Sequence, residues 1–92
     1  MAYLDVAAGI DVDVAAMTPV NASGEVLYEL GMMYAAGRTV QLDLVLAHKW
    51  FNLAAMRGNA DAIRLRREIA DQMSEREIAE AQRAARAWLR AG

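Results

Sequence analysis

The sequence predicts an all-α fold: two antiparallel helical hairpins stacked on each other, preceded by an irregular N-terminal arm. Three observations carry that prediction. Leu27, Leu30 and Tyr34 recur at spacings of three and four, which places them on one face of a helix. Gly37 and Gly58 stand where two helical stretches stop, and glycine suits the left-handed residue that closes a helix. Ser74-Glu75-Arg76-Glu77 has the serine–glutamate spacing of a capping box, so another helix starts there.

Residues 1–22 read as an arm. Ile10-Asp11-Val12-Asp13-Val14 alternates like a strand, whereas Val6-Ala7-Ala8 and Val14-Ala15-Ala16 suit helical turns. Pro19 biases Thr18 away from helix, so any weak helix here ends before Thr18. The apolar side chains of the arm are expected to cover the open face of the first hairpin. The helical domain is expected over 23–92, with its first hairpin at 24–58 and a second at 59–91.

Ser23 is the expected N-cap of a helix over about 24–36, with Glu25 in its first turn, where a carboxylate meets the positive end of the helix dipole. Gly31 lies at the edge of the Leu27–Leu30–Tyr34 face. A glycine inside a helix costs ~1 kcal/mol relative to alanine, and its expected return is close approach of a second helix, with Trp50 filling the gap. Residues 38–41 form a short connection. Asp43 is placed in the first turn of a helix over about 42–57, whose apolar stripe is Val45 or Leu46, then Trp50, Leu53 and Ala54. Asn59 suits the cap of a third helix, with Asp61 in its first turn and a stripe of Ala62, Leu65, Ile69 and Met73. Arg64–Glu68 and Arg67–Asp71 are spaced as ion pairs one turn apart. The fourth helix is expected over about 75–90, with Ile78, Ala81, Ala85, Trp88 and Leu89 on its apolar side.

Leu30-Gly31-x-x-Tyr34, Gly37, Val40, Asp43, Ala47-x-x-Trp50-Phe51, Ala54-Ala55, Gly58-Asn59-Ala60 and Ala62 together resemble a Sel1-like repeat. Thr39 departs from the family pattern, which usually has a second turn glycine there, and Leu46 stands where lysine is common. The resemblance implies a short α-solenoid related in architecture to tetratricopeptide repeats, and an adaptor role in protein assembly rather than catalysis. Ala85-x-x-Trp88 echoes Ala47-x-x-Trp50, so residues 59–91 read as a degenerate second repeat with a charged outer face, in the manner of a terminal cap. Arg66 replaces Gly31 in that alignment, implying wider helix separation. Two repeats are fewer than such stacks usually need. Extra stability is expected from the arm or from self-association as a homodimer.

The 92 residues allow one domain. Cysteine is absent, which excludes disulfides and thiolate metal sites and fits a reducing compartment. No basic leader opens the chain and no apolar run approaches the ~20 residues of a membrane span. A cytoplasmic protein with no membrane partner is expected. Charge is uneven. Residues 1–37 hold five carboxylates and no Lys or Arg, whereas residues 38–92 hold all ten Lys and Arg against seven carboxylates. Opposite fields of this kind suit packing within one molecule or head-to-tail contact between molecules.

Enzyme chemistry is not expected. His48 is the only histidine and is read as an exposed or half-buried helix residue. Asp43 and Asp61 serve helix starts, so neither a metal nor a cofactor is expected. Ser23 and Ser74 are used as caps, and no glycine-rich phosphate loop is present. Nucleic-acid binding is the rival class, through Arg64, Arg66, Arg67, Arg76, Arg83, Arg86 and Arg90, although carboxylates interleave with them and the pI is near 5.3. The preferred reading is partner binding through residues left over from the core. Tyr28 and Met32 form an apolar pair one turn apart that points away from the stripe, and Ile63 and Arg67 of the third helix extend the patch.

Overall fold

The computed structural model describes residues 18–91, so the readings of the arm before Thr18 lie outside the described residues. The chain forms α1 (Gly24–Ala36), α2 (Leu44–Met56), α3 (Ala60–Ala70) and α4 (Glu75–Ala91), with no strand among the described residues. The fold is all-α, built of stacked helices.

Local chemistry sets each helix start. The Ser23 hydroxyl accepts from the Val26 amide at 3.2 Å, and the Asn59 carbonyl from the Ala62 amide at 2.9 Å. At α4 the box is reciprocal: the Ser74 hydroxyl accepts from the Glu77 amide at 3.1 Å, and the Glu77 carboxylate from the Ser74 amide at 2.9 Å. Asp43 corrects the expected start of α2. It is the N-cap rather than a first-turn residue, and its carboxylate accepts from the Leu46 amide at 3.0 Å. The helix therefore begins at Leu44, two residues later than its apolar pattern suggested.

Helix ends follow the glycines. Gly37 closes α1 at φ 65°, donating its amide to the Met33 carbonyl at 2.9 Å. Gly58, at φ 93°, donates to Ala55, and Asn59 donates back to Ala54, the paired bonds of a Schellman motif. The connection between α1 and α2 is longer than expected, covering residues 37–43, and the Asp43 amide closes it on the Tyr34 carbonyl at 3.1 Å. Val40 in this connection is buried and belongs to the core. The third helix is shorter than expected, with Asp71 at its C-cap, so Met73 reaches the core from the turn that follows.

Every extensive contact between helices involves α2. It pairs with α1 in a hairpin and also receives α3 and α4. Leu27, Leu30 and Tyr34 of α1 bury against Ala47, Trp50, Phe51, Leu53 and Ala54 of α2, joined by Ala62, Ile69 and Ala85. Ala81 of α4 is buried too, while Trp88 and Leu89 are half-buried against the same core.

The gap at Gly31 is filled by Phe51, not by Trp50. A Cβ at position 31 would lie 2.5 Å from Phe51 Cδ1 and 2.6 Å from Cε1. Trp50 is fully buried, and its indole meets Trp88 edge to face, ring centroids 5.5 Å apart at 80°. Neighbouring residues on a helix point about 100° apart, so Phe51 faces α1 while Trp50 faces α4.

Candidate functional site

With Leu27, Leu30, Gly31 and Tyr34 turned inward, α1 presents Glu25, Glu29, Met32 and Ala36 outward. Two adjoining grooves run along this side. The first, of about 410 Å³, is lined by Tyr28, Glu29, Met32, Met33, Ala36, Arg38 and Thr39. The second, of about 380 Å³, shares Tyr28 and Glu29 and continues past Glu25 and Val26 to Asn59 and Asp61, where α3 begins. Together they form a trough with an apolar middle, carboxylates at one end and Arg38 at the other.

Tyr28 and Met32, the expected binding pair, therefore share one groove. Met32 is 38% exposed. Tyr28 is half-buried and has an intramolecular contact that the sequence did not suggest: its ring packs on Phe51, centroids 5.9 Å apart at 48°. Ile63, 37% exposed, and Arg67, also exposed, lie on α3 and line neither of these two grooves. Of the two expected ion pairs, Arg64–Glu68 forms at 3.3 Å and Arg67–Asp71 does not; Arg64 also reaches Asp61 at 3.9 Å.

Buried residues and helix-end residues hold the trough in shape. Leu30, Tyr34, Ala47 and Ala54 are buried, Trp50 is buried against Trp88 of α4, Gly31 sets the approach of α1 and α2, and Gly37, Asp43 and Gly58 set the helix ends.

Two polar groups on α2 are buried because three helices cover it. His48 is 3% exposed, not the exposed or half-buried residue expected, and its Nδ1 has no hydrogen-bond partner among the described residues; the same holds for Trp50 Nε1. Burial lowers the His48 pKa below its ordinary value, and the nearby Arg66 guanidinium lowers it further. Burial also lowers the Lys49 pKa, while its ammonium lies 4.2 Å from the centroid of the Trp50 ring. Neither group lines the trough.

Two arginines hold elements together rather than face solvent chemistry. Arg57, at the end of α2, donates to the carbonyls of Ala22 at 2.8 Å and Val20 at 2.7 Å, with its guanidinium carbon 5.7 Å from the Trp88 ring centroid. Arg66 of α3 donates to Asn52 Oδ1 of α2 at 2.7 Å. Both contacts span distant or separate elements, so no local spacing signals them.

Among the described residues, no three His, Asp or Glu side chains converge as metal ligands, and no helix is long and apolar enough to cross a membrane. The trough has room for an apolar side chain between flanking charges. No protein-family model, curated protein or solved structure matches the chain.

Proposed function

We propose that the chain is a protein–protein interaction scaffold or regulatory adaptor, built on a Sel1-like repeat and working in the cytoplasm. The observation that supports this most is the trough along α1. Met32 is exposed beside Tyr28 and Met33 in a concave surface of about 410 Å³, and the core does not need it. Methionine and tyrosine adapt to varied partners while contributing apolar area. The absence of cysteine fits the compartment. Helix α2 spends its surface on the three other helices, so α1 is left to present a face outward.

The test is capture of a partner by the tagged protein from its own cells, compared with Met32→Lys. The expected result is a partner retained by the wild type and lost by the variant, with unchanged circular dichroism and melting. Equal recovery by both proteins rejects the trough as the binding surface.

A second reading, a small helical regulator of nucleic acid, draws on α4. Arg76, Arg83, Arg86 and Arg90 are all exposed there, and none forms an ion pair among the described residues. Filter binding of an oligonucleotide that weakens steeply with salt supports that reading.

A further inference from the structure

We infer that the trough along α1 receives α4 of a second copy of this chain. This rests on the reading of the trough as an interaction surface and names its occupant.

The charge of the trough selects the partner. Glu25 and Glu29 stand one turn apart on its rim, and Asp61 closes the same end. Neither Glu25 nor Glu29 has an ion pair among the described residues. A fitting occupant is helical, basic along one side, and small enough between the charges to seat against Tyr28 and Met32.

Helix α4 has those properties. Arg76, Arg83 and Arg90 recur every seven residues, and Arg86 follows Arg83 by three, so all four lie on one side. Ala81 and Ala85 occupy the opposite, buried side. Ala79 and Ala87 flank the arginine stripe and offer no bulk to hold a neighbouring helix away. Among the described residues the stripe has no carboxylate paired with it.

Spacing supplies the register. Glu25 and Glu29 are four residues apart, as are Arg86 and Arg90, and each separation is about 6 Å at 1.5 Å of rise per residue. An antiparallel arrangement sets Arg90 against Glu25 and Arg86 against Glu29. It lays the Arg83 stem over Met32 and sets Glu80 level with Ala35, within one helical turn of Arg38 at the basic end of the trough. A parallel arrangement pairs Glu25 with Arg86 and Glu29 with Arg90 but brings no described residue of α4 level with Arg38. The antiparallel register satisfies both ends and fits the apolar middle, where an arginine stem covers methionine well.

Sedimentation of the full chain tests this directly. The wild type is expected to exceed its 10.1 kDa monomer mass as concentration rises. Raising salt from about 0.05 M to about 0.5 M should weaken that association by roughly tenfold, because the pairs are exposed to solvent. Glu25→Arg with Glu29→Arg, and separately Arg86→Glu with Arg90→Glu, should each give monomers with unchanged circular dichroism. An equimolar mixture of the two variants should associate again, since each then offers a complementary surface to the other. A wild type that stays monomeric overturns the inference, as does a mixture that fails to associate. Oligonucleotide binding lost only in the Arg86→Glu, Arg90→Glu variant, without self-association of the wild type, overturns it in favour of nucleic acid. Monomeric protein that still captures a foreign partner through Met32 sinks the self-docking alone and leaves the adaptor reading standing.

Discussion

The ring of Phe51 occupies the space that a side chain at position 31 would fill. That relationship sets how closely α1 and α2 approach, and it holds Tyr28, which stacks on the same ring, at the wall of the trough. Core packing and the candidate binding surface are thereby joined through one aromatic residue.

Gly31→Ala is expected to destabilise the protein. Overpacking costs about 1–3 kcal/mol, and the better helix propensity of alanine returns up to ~1 kcal/mol. A net loss of up to about 2 kcal/mol follows. Urea unfolding of the single variant and of Gly31→Ala with Phe51→Leu should show the loss shrinking when the ring is removed. Equal losses in both backgrounds would sink the steric account.

Trp50→Ala should cost ~3–5 kcal/mol, because the indole is fully buried and alanine leaves a cavity. Trp88→Ala should cost less, since Trp88 is only half-buried. The edge-to-face pair adds about 0.5–1.5 kcal/mol of coupling, readable in a double-mutant cycle. Additive losses would mean that the two rings stabilise the fold independently.

Arg57→Lys should free residues 20–22 while leaving the helices in place. The planar guanidinium reaches two carbonyls at once, and a lysine ammonium lacks that fork. Hydrogen exchange of the Ala22 amide, which bonds to Pro19, should quicken. Global stability should fall by about 1–2 kcal/mol, as hydrogen bonds from a charged group are lost at a largely exposed site. Unchanged exchange at Ala22 would show that something else holds this segment.

Stability should fall as the solution is acidified below pH 6.5, the ordinary pKa of histidine. The folded state lowers the pKa of His48, so the unfolded chain takes up a proton first. The contribution of His48 is therefore complete above pH 6.5 and is lost as pH falls through its lower folded value. His48→Met should remove this part of the pH dependence in thermal melts between pH 7 and pH 5, numbers set by the ordinary histidine range of about 6.5. An unaltered profile would assign the acid sensitivity to the carboxylates.

The parts of the fold legible in the sequence are those decided within a few residues. Ser23, Asn59 and the Ser74–Glu77 box announce helix starts because a cap needs only a side-chain acceptor and a nearby amide. Gly37 and Gly58 announce ends for the same local reason. Asp43 was visible as a helix-start residue, but its exact place depended on where the connection released the chain, and buried Val40 lengthened that connection. The glycine gap is legible, yet two adjacent aromatics, Trp50 and Phe51, compete for it, and Phe51 fills it. Periodicity marks both Trp50 and Phe51 as buried on a helix covered from several sides, and only the placement of α4 separates them. The same crowding hides His48 and Lys49, whose polarity points to solvent in any pattern built from one face. At the trough, Tyr28 and Met32 were legible as an outward pair. Ile63 and Arg67 lie outside both grooves, and the direction in which α3 leaves Gly58 has no signature in local spacing.

The central position of α2 makes this molecule indivisible. In long helical arrays each unit leans only on its neighbours, so ends can fray while the middle persists. Here α1, α3 and α4 share one supporting helix. A nick or truncation within Leu44–Met56 should dissolve the whole body at once, and heating should produce one sharp loss of structure rather than a progressive unravelling from the ends.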